Sequence, residues 1–234
     1  MSEHIFTGGG EKRGCGEKSH FGTHHLELLP PAEIEKRSFE IITRELGGRT
    51  FPPDQDPVVK RVIHTTADFD YADNLVFSEG AVAAGREALL SGATVITDTS
   101  MAMAGINKRV LARLGSSVRC FMADGNVAAE AMARGVTRAA VSMERAADLP
   151  GRKIFAVGNA PTALIRLREL ADEGLVSPAL IIGVPVGFVN VEAAKEMILE
   201  LKSVPHIVAR GRKGGSSVAA AIVNALLYGL TERR

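Results

Sequence analysis

From residue 93 onward the chain alternates between short apolar runs and longer helical stretches, and this alternation limits the possible folds more than any other feature. The runs at 93–97, 117–122, 153–157, 179–182 and 206–209 have the composition of buried strands. Helical patterns at 107–114, 126–134, 138–148, 162–173, 191–201 and 216–230 lie between or after them. Strand–helix alternation at this spacing is the mark of βαβ units, in which parallel strands are joined by crossover helices. The expected fold is α/β, with a mostly parallel five-stranded sheet and helices on both faces. Three further helices are expected ahead of it. One covers 32–46 and is stopped by Gly47-Gly48. A second runs from Asp56-Pro57 to about 68, and a third from Ser78-Glu79 to Gly92.

Composition narrows the function. The 234 residues fit one large domain better than two small ones. Aromatic residues make up 5%, with no tryptophan, which suits aliphatic packing on a parallel sheet and suits a base-stacking surface badly. With 28 basic and 27 acidic residues, no global field draws the chain to nucleic acid or membrane, so an anionic ligand has to be held by local clusters. Cys15 and Cys120 stand far apart, in no zinc or disulfide spacing. There is no apolar run of about 18 residues and no signal-peptide pattern at the start, so a cytoplasmic protein is expected. Residues 1–28 hold six glycines and four of the six histidines and read as a flexible extension ahead of a domain spanning 29–234. The Gly8–Lys18 stretch lacks the Gly-Lys-Ser/Thr ending of a phosphate loop. His24-His25 leave a metal role open.

In open α/β sheets ligands sit at the carboxyl ends of the strands. Four loops are expected there: Thr97-Asp-Thr-Ser100, Gly158-Asn-Ala-Pro161, Gly183-Val-Pro-Val-Gly187 and residues 210–217. The second has a glycine ending a strand and a proline opening a helix, which leaves backbone N–H groups for an anion or makes a plain tight turn. Arg210-Gly-Arg-Lys-Gly-Gly-Ser-Ser217 combines cations, glycines and hydroxyls at a helix start, a recipe for holding acidic groups or a solvated charge run. Asp98 is read as a carboxylate at the sheet edge or, more simply, as the cap of the helix that follows it, and Met101 and Met103 as core or pocket lining. Arg61, His64 and Asp68 have helical spacing. That fits either a proton-transfer group between a cation and a carboxylate or a surface helix contact.

Taken in order, Glu35-Lys-Arg-Ser-Phe-Glu-Ile-Ile42, Arg61-Val-Ile-His64, Phe77-Ser78, Thr97-Asp-Thr99, Gly105-Ile-Asn-Lys108, Gly135-Val-Thr-Arg138, Gly158-Asn-Ala-Pro-Thr-Ala163, Gly183-Val-Pro-Val-Gly-Phe188 and Gly211-Arg-Lys-Gly-Gly-Ser-Ser217 resemble the precorrin-8X methylmutase family, its cobalt-precorrin-8 branch included. The resemblance covers about residues 30–230. It implies a three-layer flavodoxin-like fold, a homodimer and no cofactor. It also implies an isomerase that moves a methyl group between adjacent carbons of ring C of a tetrapyrrole on the route to cobalamin. The family's catalytic histidine falls on His64, and its substrate contacts on Ser38, Arg61 and Arg138. Asn159, Gly214, Gly215 and Ser216 are implied as further contacts, and no metal ligand is implied. The wording at 97–99 and 105–108 leans towards the cobalt branch. The readings set against this one are a flavodoxin-like enzyme with a phosphorylated cofactor and a tetrapyrrole carrier with the same pocket.

Overall fold

A computed structural model describes residues 18–21 and 24–231, so the Gly8–Lys18 glycine run lies almost wholly outside the described residues, as do the side chains of His24 and His25. The chain divides into two compact units, residues 1–45 and 46–234. In the first, β1 (Lys18–Phe21) pairs antiparallel with β2 (His24–Glu27), followed by α1 (Pro31–Glu45). These two paired strands lie within the stretch expected to be a flexible extension. Arg37 on α1 donates to Glu27 at 2.9 Å, and α1 groups with the strand pair.

The second unit carries the sheet. In chain order it runs α2 (Asp56–Thr66), α3 (Tyr71–Asn74), β3 (Leu75–Phe77), α4 (Ala81–Leu90), β4 (Thr94–Thr97), α5 (Ser100–Gly105), α6 (Lys108–Arg113) and β5 (Ser117–Arg119). It continues α7 (Gly125–Arg134), α8 (Arg138–Ala147), β6 (Lys153–Val157), α9 (Pro161–Asp172), β7 (Leu180–Gly183), α10 (Val191–Leu199), β8 (His206–Ala209) and α11 (Ser216–Thr231). The sheet has six strands in the order β3-β8-β7-β6-β4-β5. The five expected strands are parallel to one another. Read from β5 inwards they follow the 2-1-3-4-5 order of flavodoxin-like sheets, with the switch point between β4 and β6. The five-strand expectation is therefore one short. The sixth, β3, runs antiparallel to β8, with Leu75 opposite Ala209 and Phe77 opposite Ile207.

The central strands are buried on both faces, which is why they read as unbroken apolar runs. Ile96, Phe155, Val157, Ile181 and Val208 share one cluster with Ala139 and Met143 of α8, Leu164 and Leu167 of α9, and Ala194 and Ile198 of α10. On the other face α11 packs on α2, α4, α5 and α6 and against β6 and β7. Nine α11 residues are buried, so this helix is apolar on nearly all sides, as a central helix must be. Gly85 on α4 permits the close approach: a Cβ there would lie 2.8 Å from Leu180 and 3.0 Å from Leu226.

Candidate active site at the carboxyl edge of the sheet

Helix α2 brings the first candidate residues to this edge. Val58, Val59, Val62 and Ile63 form its buried stripe, which leaves Arg61 and His64 half-buried beside it. The helix packs along α11, and the Arg61 guanidinium stands 5.1 Å from the centroid of the Tyr228 ring, in cation–π range. Arg61 also lines a recess of about 260 Å³ together with Thr65, Ser217, Asn224 and Tyr228.

The expected Arg61–His64–Asp68 face needs one correction. The helix stops at Thr66, and Ala67 turns left-handed with φ 53°, so Asp68 lies beyond the last turn. There its Oδ1 accepts from the Asp70 N–H at 3.0 Å, and its Oδ2 accepts from Lys213 Nζ at 2.6 Å. Lys213 donates equally to Asp70 at 2.6 Å. The ammonium holds the Asp68 carboxyl below the usual carboxylate range, and the two carboxylates hold Lys213 above its own. The end of α2, one turn past His64, is thereby tied to the β8–α11 loop.

That loop is built on close approaches. A Cβ on Gly214 would lie 2.1 Å from the Val184 carbonyl oxygen, and Gly215 has φ 137°, so both positions require glycine. The Gly215 N–H donates to Val184 at 2.9 Å and the Gly187 N–H to Arg212 at 3.2 Å, joining the loop to the one after β7. The Ser216 and Thr99 hydroxyls are 2.8 Å apart, joining it to the loop after β4. The cations read as a ready anion site each have a carboxylate neighbour: Arg210 with Glu196 at 3.4 Å, Arg212 with Glu192 at 3.3 Å, and Lys213 with Asp68 and Asp70.

The loop after β6 also differs from expectation. Its backbone N–H groups do converge, but on the protein's own Asp98. The Gly158 N–H donates to Oδ1 at 2.8 Å, and the Asn159 and Ala160 N–H groups donate to Oδ2 at 2.7 Å each. Asp98 is fully buried, and burial pushes its carboxyl above the usual range even though the three N–H groups pull it down. It does not cap the helix that follows it; Thr99 does, accepting from Ala102 N–H at 3.0 Å. The loops after β4 and β6, which flank the switch point where flavodoxin-like sheets receive a ligand, are thus joined by an internal carboxylate. Asn159 itself is exposed there.

Arg138 stands exposed at the start of α8, its guanidinium 3.4 Å from the Met122 carbonyl. Its neighbour Thr137 caps α8 and donates to Thr162 on α9 at 2.8 Å, which sets Arg138 beside the β6–α9 turn. Ser38 lies in the first unit, where its hydroxyl donates back to the Ile34 carbonyl at 3.0 Å. Met101, read as pocket or core, is 73% exposed; Phe188 is 81% and Val189 77% exposed. These apolar side chains follow β4 and β7 and so rim the carboxyl edge. Lys195 at this edge, and Tyr228 about three turns along α11, are residues that sequence reasoning left without a role. Among the described residues no cluster of three or more His, Cys, Asp and Glu is placed to hold a metal ion, and no helix is long and apolar enough to cross a membrane.

Comparison with known proteins places the chain in a family. The model of the family described as precorrin-8X methylmutase matches residues 33–229. The chain belongs to the precorrin-8X methylmutase family. It is 45% identical to the cobalt-precorrin-8 methylmutase of Salmonella typhimurium, over 89% of this chain and 99% of that one. It is 43% identical to the protein of the same name in Priestia megaterium, over 85% and 88%. The precorrin-8X methylmutase of Pseudomonas aeruginosa is 41% identical over 82% and 93%. The crystal structure of the precorrin-8X methylmutase from Thermus thermophilus superposes with a TM-score of 0.78 at 41% identity, covering 86% of this chain and 98% of that one. Membership makes the chain a methylmutase, an isomerase of cobalamin biosynthesis.

Proposed function

We propose that the chain, as a cytoplasmic homodimer, converts precorrin-8X or cobalt-precorrin-8 into hydrogenobyrinate or cobyrinate, with His64 as the proton donor and acceptor. The observation that carries the assignment of His64 is its place on α2. It lies one turn after Arg61, which faces the recess over α11, and one turn before the Asp68–Lys213 tie to the β8–α11 loop. The reaction breaks the bond from one ring C carbon to its methyl group and forms one from that methyl to the neighbouring carbon. Substrate and product are isomers, so no oxidant is needed and a proton given to the macrocycle is matched by one removed. An imidazole can act as both donor and acceptor of a proton. Arg61 and Arg138 hold carboxylate arms of the substrate, and the first turn of α11, behind Gly214 and Gly215, offers N–H groups to another. The exposed Met101, Phe188 and Val189 supply an apolar rim for the ring. The cobalt form is the preferred substrate, a reading supported by the 45% and 43% relatives that carry that name.

The test is His64→Ala and His64→Asn, assayed with both precursors by the change in visible spectrum. Turnover should fall by about 100- to 10,000-fold while the ring still binds, since general acid–base catalysis is typically worth that much. Near wild-type turnover in His64→Ala would make the histidine structural and remove the mechanism.

A further inference from the structure

Helix α10 carries a charged residue where its buried stripe calls for an apolar one. Val191, Ala194 and Ile198 face the core at helical spacing, and Lys195 sits among them with its side chain fully out of solvent. Its ammonium donates to the Gly211 carbonyl at 2.7 Å and to the Lys213 carbonyl at 2.8 Å. Both acceptors belong to the β8–α11 loop, on either side of Arg212, itself 3.3 Å from Glu192 one turn earlier on α10. A buried ammonium is costly unless its donors are paired, and here two backbone carbonyls of one short glycine-rich segment pair it. The Lys213 backbone that Lys195 fixes carries the side chain that binds Asp68 and Asp70 at the end of α2. Burial also lowers the Lys195 pKa to about 8.

We propose that Lys195 is a positioning residue for the reaction: its buried ammonium sets the backbone of the Gly211–Lys213 turn, so that Gly214 and Gly215 present the α11 N-terminus to substrate and Lys213 holds the end of α2 in place. The inference rests on the reading of that loop as a substrate contact. Lys195 does not line the recess that Arg61 faces; it acts through the loop.

Hydrogen exchange followed by mass spectrometry on the full chain tests this, with wild type, Lys195→Met and Lys195→Gln compared. Methionine keeps the length and apolar stem and removes the donors; glutamine restores two donors at shorter reach. In Lys195→Met, exchange of 210–217 and of 68–70 should quicken by about tenfold or more, while β4, β6 and β7 keep their protection, since hydrogen bonds to charged groups are worth at least that factor. KM for the corrin substrate should rise on the order of tenfold with kcat changed far less, and Lys195→Gln should fall between the two. Unchanged exchange at 210–217, exchange that quickens across the whole sheet alike, or a faster loop with an unchanged KM would each overturn the proposal. Should Lys195→Met fail to fold, Lys195→Gln is decisive by the same readouts. A wild-type chain that does not turn over either precursor would instead overturn the proposed substrate, and the exchange comparison would still stand.

Discussion

Asp98→Ala tests how much the tie between the loops on either side of the switch point contributes to stability. The carboxylate accepts three backbone N–H bonds at 2.7–2.8 Å, from Gly158, Asn159 and Ala160. Alanine would leave all three donors without their acceptor. The Gly158 N–H lies in a buried residue, so its lost bond costs about 1–3 kcal/mol. The other two belong to an exposed and a half-buried residue and can turn to water, which reduces each loss to about 1 kcal/mol or less. Against this stands relief from burying a carboxylate whose pKa the site has raised. The net expectation is a destabilisation of about 1–4 kcal/mol, read as the shift in urea midpoint multiplied by the slope of the transition. Asp98→Asn keeps one carbonyl oxygen for the Asn159 and Ala160 N–H groups and should lose less. Faster amide exchange at 158–160 should accompany both. An Asp98→Ala chain within about 1 kcal/mol of wild type would refute the reasoning. It would mean that the β6–α9 turn holds its shape through Gly158 and Pro161 alone.

Gly214→Ala should be more damaging than its size suggests, because the new methyl would sit 2.1 Å from a backbone oxygen with no flexible side chain to yield; a melting temperature equal to wild type would show that the β7 and β8 loops are free to separate. The acid limb of stability should carry two opposite contributions. Lys213 holds Asp68 below the usual carboxylate range, so Asp68 adds stability above that range and loses it as pH falls through the lower folded value. Asp98 is raised, so the folded chain takes up its proton first and gains stability as pH falls from the raised value to the usual range. Urea titrations from pH 3 to 7 should therefore show a shallower acid loss in Asp68→Asn and a steeper one in Asp98→Asn. The Asp68 effect should stay within about 1 kcal/mol, as for a partly exposed pair. Identical profiles for the two variants would contradict the assignment.

The sequence by itself determined the parallel core and the helices around it. Strands buried on both faces must be apolar throughout, and helices that cover them must be amphipathic, so both patterns are written locally. The motifs that carry the family likeness, among them Arg61-Val-Ile-His64 and the glycines at 214 and 215, are likewise short local segments, and at 214 and 215 the close approach and positive φ require glycine. The structure alone decided what depends on distant partners. Strand β3 has three residues and no alternation, and only its pairing with β8, more than 120 residues later, makes it a strand. Helix α5 is only six residues long and owes its place to α11. Asp98 looked like a local cap because capping is a short-range rule, whereas its real donors arrive some 60 residues along the chain. Lys195 did leave a trace, a charge on the apolar stripe of α10, but a stripe cannot say which carbonyls will meet it. Local periodicity says which face is buried. Which buried polar groups find one another follows only once the chain has brought its loops to one edge of the sheet.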